Sequence, residues 1–138
     1  MLSKKKIICP ENLLKVALNK GPAKAAIVNA GRKVVIESSK QAAESKLILP
    51  IFIGDKPLIE KIAKEINWDI SKYEIIHEQT ENNTAPIAAK LASEGKVKII
   101  VKGHIHTDIL MKAVLKRDLN LIGKKRLSHV WHMTLEKK

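Results

Sequence analysis

Short apolar runs and helical stripes alternate along the chain, which is the pattern of strands separated by helices. Four apolar runs have the length of a strand and are bounded by polar or turn-forming residues; they occupy positions 25–28, 49–53, 73–76 and 97–101. A fifth run, at 127–133, is rich in large residues and predicts a fifth strand.

Apolar residues recur at helical spacing between these runs. The clearest stripe lies within residues 58–66, and Pro57 suits the first turn of its helix. Further stripes lie at 87–92, before Gly95, and at 109–114, behind Thr107 as a suitable N-cap. Apolar residues at 13–18 predict an opening helix, and a weaker stripe occupies 35–43. Strands and helices that alternate in this way predict an α/β fold, a three-layer α/β/α sandwich with a mostly parallel sheet, as a single domain over residues 1–138.

Charge favours anionic partners but does not select one. The chain carries 26 Lys and Arg against 14 Asp and Glu, a net charge of +12. Such a surface suits nucleic acid, phospholipid or a polyphosphate cofactor. The lysines are spread along the whole sequence, and the aromatic side chains are too few for a platform that stacks bases. Nucleic acid is therefore a disfavoured partner.

The apolar stretches also bear on location. The longest, at 47–53, contains Pro50 and is far shorter than the ~20 residues of a membrane span, so we expect no membrane partner. Cys9 is a single cysteine and cannot form an internal disulfide, which agrees with a reducing compartment. With no targeting segment recognised, the expected location is the cytoplasm.

The most polar strand end follows the fourth run. Ligands bind at the carboxyl ends of parallel strands, and here Lys102 supplies a positive charge. Gly103 permits either close backbone approach or a positive φ, and the helix behind Thr107 would direct its first N–H groups at an anion. These features suit phosphate, although an ordinary strand-to-helix turn would have a similar sequence.

A second basic cluster lies nearer the carboxyl terminus. It includes Arg126, Ser128 and His129, and its simplest interpretation is a solvated loop. The alternative is contact with the pyrophosphate or ribose phosphate of a cofactor, for which the Arg126 fork is well shaped.

Paired histidines raise the question of metal. His104 and His106 form one pair, and His129 and His132 form another. A catalytic zinc site typically has three protein ligands, and side chains three positions apart on a strand point to opposite faces. No recognised metal-ligand motif is present, so we predict no metal site.

Several segments together resemble one family. They are residues 50–55 (PIFIGD), 94–96 (EGK), 101–108 (VKGHIHTD) and 126–130 (RLSHV). In these segments, and from about residue 13 to residue 133, the chain resembles the phosphate acetyltransferases and phosphate butyryltransferases. The Lys-Gly-x-x-x-Thr segment is specific in combination with Leu-Ser-His-Val.

The resemblance implies a fold and a reaction. The fold would be of the isocitrate/isopropylmalate dehydrogenase-like type, with an active site between two domains and a homo-oligomer when complete. The reaction would convert acyl-CoA and phosphate to acyl phosphate and CoA, with CoA as a substrate and no tightly bound cofactor. The residues implied in binding phosphate or CoA are Lys102, Gly103, His104, Thr107, Arg126, Ser128 and His129.

The chain also departs from the family's pattern. Family members are about twice as long, and their later Ser-Arg-x-Asp motif, credited with catalysis, has no counterpart here. Gly31, Arg32 and Lys33 stand where an acidic pair is usual. We therefore expect a truncated, N-terminal part that lacks the second domain and is inactive alone, and we assign no catalytic residue.

Three alternatives remain open at this point. The chain could be a basic α/β module that binds CoA, a nucleotide or RNA without chemistry. It could be a subunit that regains activity with a separately encoded C-terminal half. It could also be a non-functional remnant.

Overall fold

The computed structural model describes residues 9–124 and 126–131. None of the helices in this part of the chain is long and apolar enough to cross a membrane. The elements in chain order are α1 Glu11–Asn19, β1 Ala23–Val28, α2 Lys33–Glu44, β2 Ile48–Gly54, α3 Lys56–Glu65, β3 Ile75–His77, α4 Glu81–Ser93, β4 Ile99–Lys102, α5 Thr107–Val114 and a 3₁₀ turn at Arg117–Leu119.

The four strands form one parallel sheet in the order β3-β2-β1-β4. In its register, Val28 of β1 lies between Ile53 of β2 and Lys102 of β4. Gly54 of β2 likewise lies beside His77 of β3. The carboxyl ends of all four strands therefore meet at one edge of the sheet, as parallel pairing requires.

Helices cover both faces of the sheet, because successive strand residues point to opposite sides. Ala26, Val28, Ile51 and Ile53 are buried with apolar residues of α4 and α5. Ala25, Ile27 and Phe52 are buried on the opposite face with residues of α2 and α3. This arrangement confirms the three-layer α/β/α prediction. The grouping with isocitrate and isopropylmalate dehydrogenases stays a prediction.

The predicted start of α5 was one residue late. The helix begins at Thr107, and the preceding residue, His106, occupies the N-cap position with extended backbone. Thr107 was predicted as the cap because its hydroxyl suits that position. His106 is instead fixed there by Glu81, whose carboxylate accepts its backbone N–H.

The predicted fifth strand is wrong over residues 127–131. The described residues 126–131 form no helix or strand, and Leu127, Val130 and Trp131 are more than half exposed. Apolar residues favour a strand only where a neighbouring strand and a packed face are available. In the described part of the chain, this segment has neither. His132 and Met133 lie outside the described residues.

Candidate functional site

The sheet topology places a crevice between the carboxyl ends of β1 and β4. From β1 the chain continues into α2, on one face of the sheet. From the neighbouring β4 it continues into α5, on the other face. Adjacent strands whose connections leave to opposite faces define the switch point at which open α/β sheets bind ligands.

Gly103 lets the two strand ends approach each other. Its N–H donates to the carbonyl of Val28 at 2.9 Å, and the N–H of His104 donates to the carbonyl of Asn29 at 3.1 Å. A Cβ at Gly103 would overlap the Val28 oxygen and lie 2.8 Å from the Asn29 oxygen. The backbone of Gly103 is not in the positive-φ region. Of the two roles that the sequence allowed for Gly103, close backbone approach is therefore the correct one, and a positive φ is not.

A cleft of about 310 Å³ opens beside these strand ends. Its lining residues come from three elements and the loop between two of them; they are Glu81, Lys102, His104, Ile105, His106 and Thr107. The cleft thus brings together Lys102, His104 and Thr107, three of the residues singled out in the sequence. Arg126, Ser128 and His129 are exposed and do not line it, so their binding role stays a prediction.

Lys102 and two helix amino ends favour an anion in the cleft, and the Glu81 carboxylate opposes one. Helices α4 and α5 both begin at its wall, at Glu81 and Thr107. The amino end of a helix carries a partial positive charge and unpaired N–H groups. Lys102 is exposed and forms no ion pair within the described residues, so its charge is available to a ligand.

Arg32 reaches the same edge from the loop after β1, and sequence reasoning missed it. Its Nη2 lies 3.0 Å from Nε2 of His104. A guanidinium can only donate, so Nε2 of His104 is the acceptor and is unprotonated in this contact. Asn29, in the left-handed region at φ 51°, donates through its side-chain amide to the His104 carbonyl. Asn29 and Arg32 could have been found from the sequence, because both lie in the polar stretch directly after β1.

Glu81 is the second residue that the sequence interpretation missed. Its Oε1 lies 2.7 Å from Nδ1 of His106 and also accepts the backbone N–H of that residue. The backbone N–H of His106, followed by its ring, holds the pKa of the Glu81 carboxyl below its ordinary value of 4.5. Glu81 therefore remains ionised in mildly acidic solution and joins the start of α4 to the start of α5.

We expect the Glu81 contact to make folding stability depend on pH. The pKa of Glu81 is lowered in the folded state, so its stabilisation is present above about pH 4.5 and is lost as the pH falls through the folded pKa. Glu81→Gln is expected to weaken the acid-induced fall of the urea midpoint between pH 6 and pH 3. Glu65→Gln is the control, because the described residues give the Glu65 carboxyl no hydrogen bond or ion pair. Equal pH profiles for the wild type and Glu81→Gln would contradict the prediction.

Metal-ligand geometry is not present in the described part of the chain. Within residues 9–124 and 126–131, no three His, Cys, Asp or Glu side chains come together as a group that could hold a metal ion.

The relatives found by comparison with known proteins are phosphate acetyltransferases and phosphate butyryltransferases. Phosphate acetyltransferase from Rickettsia felis is 34% identical over 114 residues, which are 83% of this chain and 33% of the relative. Phosphate butyryltransferase from Clostridium beijerinckii is 36% identical over 107 residues, which are 78% of this chain and 35% of the relative. The chain thus spans about a third of the length of these curated relatives. No family model matches it.

Solved structures extend the likeness to the fold. The EutD phosphotransacetylase from Staphylococcus aureus aligns with a TM-score of 0.62 at 21% identity. The alignment covers 83% of this chain and 43% of the other. At this identity the match establishes the shared fold alone.

Proposed function

Because this chain belongs, through the part it shares with them, to the phosphate acetyltransferase and phosphate butyryltransferase family, we propose that it serves acyl transfer between CoA and inorganic phosphate. The reaction is acyl-CoA plus phosphate giving acyl phosphate plus CoA, with CoA as a substrate. The observation that carries the proposal is the cleft at the β1–β4 switch point, where Lys102 lies beside the amino ends of α4 and α5. The single cysteine agrees with a reducing compartment, so the proposal includes a cytoplasmic location.

In this proposal the cleft holds the phosphate, either free or as part of the acyl phosphate. Lys102 supplies a full charge, the start of α5 at Thr107 supplies backbone N–H groups, and Arg32 adds a fork beside His104. Gly103 acts indirectly, because it seats the end of β4 against β1. Arg126, Ser128 and His129 are proposed to reach the phosphates of CoA.

The chemistry needs position and charge more than a reactive side chain. The thiolate of CoA attacks the acyl carbonyl of acyl phosphate, the C–O bond to phosphate breaks, and phosphate leaves. Negative charge develops on the carbonyl oxygen, so fixed cations and N–H donors lower the barrier. Holding both substrates in one cleft supplies the proximity contribution.

We further propose that this chain needs a second polypeptide part for turnover. The matched region is about a third of each relative. Strand β4 has no partner on its outer side among the described residues, and Ile99 on that strand is 40% exposed. An open edge of this kind is one that a further strand or chain can cover. A separately encoded C-terminal half, within a homo-oligomer when complete, is the partner that we propose.

The test is phosphate-dependent release of CoA thiol from acetyl-CoA and butyryl-CoA. The purified chain is assayed alone, and again with the part of the Clostridium beijerinckii phosphate butyryltransferase that lies outside the matched region. Activity only in the mixture is the expected result. Turnover by the chain alone would refute the need for a partner. The anion site is tested separately, by the binding of acetyl phosphate.

Lys102→Ala is expected to weaken binding of acetyl phosphate by the chain. Loss of one charge-assisted hydrogen bond removes about 1.5–3 kcal/mol, which is roughly a 10- to 150-fold rise in Kd. Isothermal titration calorimetry at low salt measures the change. Lys98→Ala is the matched control, because Lys98 is also exposed and precedes the amino end of β4, away from the cleft. Equal Kd values for the two variants would contradict the site.

A further inference from the structure

We propose that Glu81 and His106 form a proton-transfer dyad in which the carboxylate holds Nδ1–H of the ring and leaves Nε2 as a proton acceptor at the cleft. Within the proposed function, on which this inference rests, the proton would come from the thiol of CoA. Neither residue is among the binding residues implied by the family resemblance.

The Glu81 carboxylate holds His106 at two points, one on the ring and one on the backbone. Oε1 of Glu81 lies 2.7 Å from Nδ1 of His106, and the same oxygen accepts the backbone N–H of His106. An ionised carboxylate can only accept, so Nδ1 carries the proton in this contact. In the neutral imidazole, Nε2 is then the unprotonated nitrogen. The side chain of His106 is 77% exposed and lines the cleft, so a substrate can reach it.

His104 cannot take this role in the same arrangement. Its Nε2 already accepts a hydrogen bond from Arg32 at 3.0 Å. The two histidines therefore have different functions, although only one residue separates them in sequence. His104 orients a cation, whereas His106 is left with a free acceptor.

The charged groups around His106 come from three elements. Glu81 lies at the start of α4, Lys102 ends β4, and Asp108 is in the first turn of α5. Asp108 also lies 3.6 Å from Lys112, which offsets its charge. Glu81 is thus the carboxylate in direct contact with the ring. Lys102 and Asp108 contribute to the electrostatic field around it.

The proton balance of the step is simple. The S–H bond of CoA breaks and its proton moves to Nε2 of His106, leaving a thiolate. The thiolate forms an S–C bond at the acyl carbonyl, and the C–O bond breaks with its electron pair going to phosphate. In the reverse direction, phosphate attacks the thioester and the imidazolium returns the proton to the departing thiolate. Positioned bases of this kind contribute typically 10²–10⁴-fold to a rate.

The tautomer of His106 tests the dyad without any need for turnover. Long-range ¹H–¹⁵N NMR of the chain, at a pH where the ring is neutral, is expected to show a protonated Nδ1 and an unprotonated Nε2. Glu81→Ala is expected to shift His106 toward the Nε2–H form. Glu78→Ala is the matched control, because Glu78 binds Thr80 rather than His106. If Glu81→Ala fails to fold, Glu81→Gln keeps one acceptor oxygen and is expected to shift the ring only in part.

Chemical reactivity gives a second measure of the free nitrogen. Diethyl pyrocarbonate modifies unprotonated imidazole nitrogen, and a carboxylate on Nδ1–H makes Nε2 more basic. At a pH where the ring is neutral in both proteins, His106 is therefore expected to react several-fold faster in the wild type than in Glu81→Ala, as read by mass spectrometry. A wild-type His106 in the Nε2–H form, or identical tautomers and reactivities in the wild type and Glu81→Ala, would overturn the dyad. Failure of acetyl phosphate to bind would instead count against the proposed function, so the two proposals fail separately.

Discussion

Gly103→Ala is expected to lower the free energy of unfolding by about 3 kcal/mol, at the upper end of the usual range for overpacking. An added methyl group would overlap the carbonyl oxygen of Val28 and crowd that of Asn29. Both are backbone atoms held by hydrogen bonds from Gly103 and His104, so neither can move without breaking the β1–β4 pairing. Urea denaturation followed by circular dichroism measures the loss.

Gly31→Ala is the matched control for this prediction. Its added Cβ would meet only the end of the Leu58 side chain, at 3.0 Å, and that flexible, partly exposed group can move aside. We expect a change of less than about 1 kcal/mol there, as for a substitution that the site can accommodate. If the two alanine variants unfold at the same urea concentration, close packing of β4 on β1 is not the reason for glycine at 103.

Phe52→Ala is expected to cost more, about 4 kcal/mol, as is typical for a fully buried aromatic residue in a core. Phe52 lies in β2 and has no exposed surface. Its ring packs edge to face against Trp68 at 5.8 Å and Tyr73 at 6.3 Å between centroids. Truncation would leave a cavity and remove both aromatic contacts. The unfolding midpoint and the near-ultraviolet circular dichroism of Trp68 report the two effects.

Val34→Ala serves as the comparison for Phe52→Ala. Val34 lies on α2 with 67% of its surface exposed, so little burial is lost there. A change within about 0.5 kcal/mol is expected for such a surface position. Similar losses in both variants would indicate that the face of the sheet toward α2 and α3 is not tightly packed.

The fold could be predicted from the sequence because its signals are local. The run at 49–53 lies inside β2, Ile48–Gly54, and the stripe at 58–66 overlaps α3, Lys56–Glu65. Each apolar run is short and ends at polar or turn-forming residues, so the two-residue period of a strand can be told apart from the 3.6-residue period of a helix. The run at 127–133 has the same local character and misled the prediction, because a strand also needs a neighbour that local pattern does not report.

The site was only partly predictable, for a related reason. Lys102 ends β4, and His104 and Thr107 come soon after it, so a single strand end was enough to find all three. Arg32 and His104 are 72 positions apart, and Glu81 and His106 are 25 apart. Their contacts arise from the strand order, in which β4 lies beside β1 rather than beside β3. The periodicity of the sequence predicts parallel strands but not this order.

The placement of β4 beside β1 has a consequence for how the protein is made. Strands β1, β2 and β3 can pair in the order in which they leave the ribosome, whereas β4 must return across the sheet to the first strand. Closing a loop between residues as distant as Ala25 and Ile99 is entropically costly and slows folding. A nascent chain that ends before β4 therefore has no cleft, and the proposed anion site forms only when β4 joins the sheet.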